Sequence, residues 1–196
     1  MQTFLPFPNL EKSVSVLDNS RLGKQRVEAA QMYKALTEGS RWINHPATQM
    51  WRGYEDILAV YHNLCIMEWV KRGKNNSMEL LPTSPLNLDP EFRKGLLPWW
   101  FGHTGFHGSH QSNLLRKNSR IYGKHFKVKD PNWLYLWPYP DKKVFRIIVP
   151  AWAKDSGYCY IPSVGDYEGA PKLELPIKWE RDLERYSILT NLDSDE

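Results

Sequence analysis

Apolar positions recur at helical spacing from Asp18 to Leu36, where Leu22, Ala29, Ala30, Tyr33 and Leu36 fall along a stretch without proline. Asp18 or Asn19 is placed to cap this helix and Gly39 to end it. A second helix is expected from Pro46, a good first-turn residue, to Lys71, with Gly73 as its stop. Met50, Tyr54, Ile57, Leu58, Tyr61, Leu64 and Cys65 form its apolar stripe. A third is expected from about Ser109 to Tyr122, with Leu114, Leu115 and Ile121 turned inward. The proline-punctuated residues 1–10 read as extended, and Asn75 to Pro98, with four prolines, as loop with short turns. Beyond Asp130 the pattern changes: 144–149 and 158–164 are rich in β-branched and aromatic residues, and seven prolines between Pro131 and Pro176 disfavour long helices. The expected architecture is mainly α, a compact helical domain over 1–129. A C-terminal β-rich or extended appendage over 130–196 ends in an acidic tail.

A chain of 196 residues is long enough to bury a core without disulfide or metal staples. No apolar run approaches the roughly 20 residues of a membrane helix, and the opening residues lack the pattern of a signal peptide. Two cysteines, Cys65 and Cys159, make no disulfide framework, so a cytoplasmic setting is expected. The net charge of +4 permits a nucleic-acid partner without requiring one. Its distribution is more informative. Eight basic residues and no acidic one lie between Arg93 and Lys129, together with Trp99, Trp100, Phe101, Tyr122 and Phe126, whereas residues 180–196 hold six acids. A basic, aromatic stretch suits a phosphate-tracking surface with stacking platforms. A solvated face over ordinary core aromatics accounts for it equally well.

Three clusters carry candidate chemistry. On the first helix Arg21, Gln25 and Glu28 share a face, Lys24 lies one turn before Glu28, and Arg26 falls among core-facing positions. A carboxylate among cations would stabilise positive charge on a substrate; a helix surface laced with ion pairs explains the same residues. Asn44-His45-Pro46 opens the second helix, where free N–H groups favour an anion, or where Asn44 serves as a cap. Glu68 is in register with Leu58, Tyr61 and Cys65, and a buried Glu needs a partner that the sequence does not name. The third cluster joins His103, His107 and His110 to Ser109, Ser112, Arg116 and Lys117. It lacks the Cys or HExxH of a zinc site and suits phosphate contacts better. The absence of Walker, GxGxxG, GxSxG and CxxC patterns removes nucleotide hydrolysis and serine-hydrolase chemistry from the leading candidates.

Taken together these segments resemble the small helical pyrimidine-dimer DNA glycosylases/AP lyases of the phage endonuclease V type. The stretch Tyr54 to Gly73, ending Glu68-Trp-Val-Lys71-Arg72-Gly73, resembles their central helix. The helix with Leu17, Leu22, an Arg-rich turn and Glu28 resembles the one bearing the catalytic glutamate, and His107 to Lys117 resembles the third. The resemblance covers roughly residues 1–127 and implies a three-helix core of the endonuclease V type.

What it implies for function is a DNA glycosylase with AP-lyase activity. An N-terminal α-amine attacks C1′ of a damaged nucleotide, and a glutamate supports the cationic sugar and proton transfers. Because Gln2 is large, Met1 is expected to remain and to supply the amine. Met1, Glu28 and Arg26 become the catalytic candidates. Arg21, Lys24, His45, His107, His110, Arg116, Lys117 and Lys124 become the DNA contacts. Two registers stand for the glutamate: Glu28 itself, or Val27 if Arg26 matches the arginine that directly precedes the family's carboxylate. The mechanism requires no metal and no organic cofactor. The implied partner is double-stranded DNA bound by a monomer, with no membrane association. Rival expectations are a non-catalytic nucleic-acid binder on the same scaffold, an enzyme acting on a different nucleic-acid modification, and a basic protein whose tryptophans face a protein partner.

Overall fold

The computed structural model describes residues 1–84 and 89–139, together with four three-residue strands at 145–147, 158–160, 172–174 and 186–188. Two compact units divide the chain, Met1–Phe101 and Gly102–Glu196. The protein is mainly helical, as its sequence pattern predicts.

In the first unit an extended segment leads into α1 (Leu10–Ser15) and α2 (Asn19–Thr37). Asp18 caps α2 by accepting from the Arg21 N–H, and the helix ends before Gly39, whose φ of 81° favours glycine. The helix expected over Pro46–Lys71 is two helices, α3 (Pro46–Gln49) and α4 (Glu55–Lys71). Gly53, at φ 82°, turns the chain between them, a conformation that L residues rarely adopt. The break sends the Trp51 ring into the interior, T-shaped on Trp100 and stacked near Tyr61. Residue by residue the pattern is apolar enough for one long helix, and only the backbone at Gly53 decides otherwise.

α4 is the central element. Residues Ile57 to Asn63 are all buried, as expected of a helix packed on more than one side. α2 packs along it, burying Leu22, Ala29, Met32 and Ala35, and α1 packs on it as well, burying Leu10 and Val14. α2 packs tightly on α4 at Gly23, where a Cβ would lie 3.3 Å from the Trp69 ring. The partner of Glu68 is Arg72, whose Nε donates to Glu68 Oε1 at 2.8 Å. The same guanidinium donates to the carbonyls of Leu17 (2.6 Å) and Ser15 (2.9 Å) and to Asn19 Oδ1 (3.2 Å). The Glu68-x-x-Lys71-Arg72-Gly73 motif therefore ties the end of α4 to the α1–α2 connection. Gly73 follows at φ 71° and ends the helix. Further on, α5 (Pro90–Arg93) is a single capped turn within the expected loop, and Arg93 pairs with Glu11.

In the second unit α6 (Thr104–Lys117) begins five residues earlier than expected, capped by His103 Nδ1, and ends at Asn118. Asn118 is extended (φ −162°) and caps the short α7 (Ser119–Tyr122), so the expected continuous helix is broken there. Leu114 and Leu115 are buried and Ile121 is half-buried. The strands β1 (Leu136–Pro138), β2 (Phe145–Ile147) and β5 (Tyr186–Ile188) pair antiparallel in the order β1-β2-β5. β3 (Tyr158–Tyr160) pairs with β4 (Lys172–Glu174), with Cys159 opposite Leu173. Apart from β5, the acidic tail lies outside the described residues, as do 161–164 of the expected second strand. Among the described residues no helix is long and apolar enough to cross a membrane.

Removing the Arg72 guanidinium leaves Glu68 its longer contact to Lys71 Nζ (3.9 Å) and takes the charged donor from two carbonyls. Arg72→Ala is expected to lower the stability of the chain by about 2 kcal/mol, with Arg72→Lys recovering no more than about half. Urea denaturation followed by tryptophan fluorescence measures both.

Candidate active site

The extended N-terminal segment enters the protein as buried chain without a strand partner: Gln2, Thr3, Phe4 and Leu5 are all buried. Backbone N–H and C=O groups in such a place must find partners, and side chains of α2, the α3–α4 turn and α4 supply them. Phe4 N–H donates to Gln25 Oε1 (2.8 Å), and Gln25 Nε2 donates to the Gln2 carbonyl (2.9 Å). The Tyr61 hydroxyl lies 2.6 Å from Gln25 Oε1 and 3.1 Å from the Phe4 carbonyl oxygen, so its one proton serves two neighbouring acceptors. Trp51 Nε1 donates to Thr3 Oγ1 (3.1 Å), and Thr3 N–H donates to Gln2 Oε1 (3.0 Å). At the head of the segment Thr48 Oγ1 of α3 donates to Met1 Sδ at 3.7 Å.

Glu28 stands at this same place. Its Oε2 accepts from Gln2 N–H (3.2 Å) and from Gln25 Nε2 (3.3 Å). Of the two registers, Glu28 is the residue turned toward the N-terminal segment, whereas the Val27 side chain is 43% exposed. The surroundings of the carboxylate differ from the ring of cations expected from sequence. Its partners are two N–H groups; Arg21 is turned to its cap residue Asp18 (Nη1–Oδ2, 2.8 Å), and Lys24 is exposed.

Arg26 is half-buried, between the core and the surface. Its guanidinium lies over the Trp69 ring, 4.1 Å from the centroid, and Nη1 donates to Asn76 Oδ1 at 2.7 Å. Its Nε is buried without a hydrogen-bond partner among the described residues. Burial lowers the Arg26 pKa, opposed by Cys65. Behind it on α4, His62 is 1% exposed and neither ring nitrogen is hydrogen-bonded. Burial, aided by the charge of Arg26, pushes the His62 pKa down to about 4, so the imidazole is neutral. Burial also drives the Tyr61 hydroxyl and the Cys65 thiol well above their ordinary ranges, and both remain protonated.

The other expected site residues are spread more widely. His45, not Asn44, caps α3, its Nδ1 accepting from Ala47 N–H at 3.1 Å. In the second unit α6 turns nearly all its polar side chains inward. His107 Nε2 accepts from Gly102 N–H (2.9 Å); His110 packs between the rings of Phe106 and Tyr135. The pKa of His110 is held well below the ordinary value by burial and by its neighbour His107. Ser109, Gln111, Ser112 and Asn113 hydrogen-bond the backbone of Leu136, Val128 and Trp133. The hydroxyl groups that suited phosphate in the sequence, and the amides beside them, thus satisfy an irregular stretch of the chain itself. Arg116, Lys117 and Lys124 are exposed, as are Arg120 and Lys127. Arg116 donates to Asn113 Oδ1, and burial lowers its pKa.

Sequence reasoning left Gln25 as a bystander on the face of Arg21 and Glu28, and gave Thr3, Thr48, Trp51 and Asn76 no part. Its one available signal was Gln25 itself. A glutamine at a core position between Leu22 and Ala29 must have polar partners, and the only unassigned backbone in need of them was the N-terminal segment.

A family model described as pyrimidine dimer DNA glycosylase matches residues 1–81 of the 196. The matched residues include the N-terminal segment, α1 to α4, and the residues gathered around Glu28 and Arg26. Comparison with curated proteins and with solved structures gives no match.

Because His62 is buried and neutral in the folded chain but binds a proton near its ordinary value of 6.5 when unfolded, the unfolded state carries the extra proton between pH 6.5 and about 4. Its contribution to stability is full above pH 6.5 and is lost as the pH falls toward 4, on the order of 1.4 kcal/mol per pH unit for one group. His62→Leu is expected to flatten the acid limb of a urea-midpoint profile by about one proton; an unchanged slope would contradict a neutral buried ring.

Proposed function

We propose that this chain is a DNA glycosylase acting on a pyrimidine dimer or a related altered base in duplex DNA, with AP-lyase activity as a second step. The observation that carries the reading is the position of Glu28. Its carboxylate accepts from the N–H of residue 2, one residue from the α-amine of Met1. A carboxylate bonded to the residue that follows a nucleophilic amine brings together the two groups that this chemistry needs.

The Met1 nitrogen forms a bond to C1′ as the glycosidic bond breaks, and the base leaves with the bonding electrons and is protonated. Glu28 supports the cationic sugar as positive charge develops at C1′. Opening of the sugar ring gives an imine, and the proton released by the amine is taken up at the carboxylate or by water. Loss of a C2′ proton then expels the 3′ phosphate. Reaching C1′ requires that the nucleotide be drawn out of the stack. Arg26, supported by Asn76 and Trp69, meets the sugar or a phosphate in this reading.

Exposed Lys24, Arg116, Lys117 and Lys124 serve as phosphate contacts in this reading, joined by Arg120 and Lys127. Such contacts make binding fall steeply with salt. His107 and His110 support DNA binding indirectly, through the packing of the second unit.

Glu28→Gln keeps the acceptor oxygen and loses the charge. It is expected to lower base release at least ~100-fold while leaving the DNA dissociation constant within about twofold. Single-turnover release from dimer-containing duplex and a parallel binding titration measure the two. Wild-type turnover in the variant would remove Glu28 from the site. Base release and borohydride adduct both absent in the wild type, with DNA binding intact, would favour a non-catalytic binder.

A further inference from the structure

We propose that Gln25 is the positioning residue of the site, a side chain that bonds both the N-terminal segment and Glu28 and fixes them relative to one another. The inference rests on the glycosylase reading for its catalytic meaning. Its structural content is independent of that reading.

A carboxamide offers two N–H donors and an oxygen able to accept twice. At Gln25 all four capacities are used, and the residue is fully buried. The oxygen accepts from Phe4 N–H and Tyr61 O–H; the nitrogen donates to the Gln2 carbonyl and to Glu28 Oε2. The two halves of one rigid plane therefore grip residues 2 and 4 of the segment, the buried hydroxyl of α4 and the carboxylate one turn further along α2. Other common side chains do not match this set. A glutamate at neutral pH only accepts, a lysine or arginine only donates, and an asparagine is one methylene shorter. Glu28 Oε2 also accepts from Gln2 N–H, so amide, carboxylate and segment close a triangle of hydrogen bonds immediately beside residue 1. Amine attack and charge support must occur within a small fraction of an ångström of their productive geometry. A group that holds both partners in one plane sets that geometry without touching substrate. Gln25 is missing from the chemistry implied by the α2 motif because it reacts with nothing.

Gln25→Glu separates positioning from packing, because it keeps shape and the accepting half while removing the donating half. At pH 8 the new carboxylate faces Glu28 and the Gln2 carbonyl with no proton to offer. As the pH falls, two neighbouring carboxylates share a proton, and the restored O–H donates again. The assay is borohydride trapping on a duplex oligonucleotide with a single abasic site. Relative to wild type at the same pH, the variant is expected to be slowed at least ~100-fold at pH 8, with the deficit narrowing at least tenfold by pH 5. DNA affinity should remain within about threefold. A deficit that is constant at every pH, or that tracks the unfolded fraction, would overturn the proposal.

Amide exchange in the wild type is the second measurement and requires no variant. Gln2 and Phe4 N–H groups should exchange at least ~100-fold more slowly than free chain; exchange at the free-chain rate would overturn the proposal whether or not Gln25→Glu folds. If the wild type traps no adduct and releases no base, the glycosylase reading fails alone. The positioning claim is then decided by Gln2 exchange in Gln25→Glu: protection lost at pH 8 and regained near pH 5 supports it, and protection unchanged at both overturns it.

Discussion

Burying an extended chain end between helices imposes one demand, that its backbone hydrogen bonds be satisfied without a neighbouring strand. Residues 2–5 lie in the interior, and the Gln25 carboxamide meets the largest share of that demand. The rest of the first unit is arranged to make this possible. α2 must lie close enough to α4 for Tyr61 to reach the same oxygen, and Gly23 keeps that approach open against Trp69. The chain must break between α3 and α4 for the Trp51 indole to reach Thr3, and Gly53 supplies the break. Arg72 then locks the far end of α4 onto the chain that leads into α2. Removing the carboxamide would take these bonds from the Phe4 N–H and the Gln2 carbonyl, a cost of about 1–3 kcal/mol each, while the Tyr61 hydroxyl would keep the Phe4 carbonyl.

The helical architecture was legible because it depends on periodicity. α2, the body of α4 and most of α6 follow from apolar spacing, and the Asp18 cap and the Gly39 and Gly73 stops follow from local backbone chemistry. The break at Gly53 was not legible, since the flanking residues are compatible with a helix and the left-handed turn is chosen by what Trp51 gains in the core. The cap at His45 in place of Asn44, and the break at Asn118, turn on single φ/ψ choices that spacing does not encode. The site was legible in part. Arg26 was visible as a charged residue among core-facing positions, and Glu28 as the carboxylate on the face of Arg21 and Gln25. Their partners are far away in sequence, so no local pattern names them: Gln2 lies 26 residues from Glu28, and Asn76 lies 50 from Arg26. Which of Val27 and Glu28 faces the N-terminal segment likewise depends on a contact distant in sequence: Glu28 meets the Gln2 N–H, whereas Val27 is exposed.

The polar face of α6 illustrates the converse error. Ser109, Ser112 and His107 have the composition of an anion site, yet they accept from the backbone N–H groups of Leu136, Trp133 and Gly102. Composition reports which groups a helix offers but not to whom. Arg116, Lys117, Arg120, Lys124 and Lys127 of the same region differ in being exposed, as long basic side chains keep their heads toward water. The mild net charge of the chain therefore averages over unlike parts: an acid-free basic stretch from Arg93 to Lys129 and an acidic end.

The central claim is that the extended segment is held so that the α-amine of residue 1 works beside Glu28. Mapping the borohydride-trapped adduct on abasic-site duplex by protease digestion and mass spectrometry tests it most directly. The account predicts a single modified peptide carrying the sugar remnant on the nitrogen of Met1. An adduct on a lysine side chain, with the Met1 amine unmodified, would contradict it.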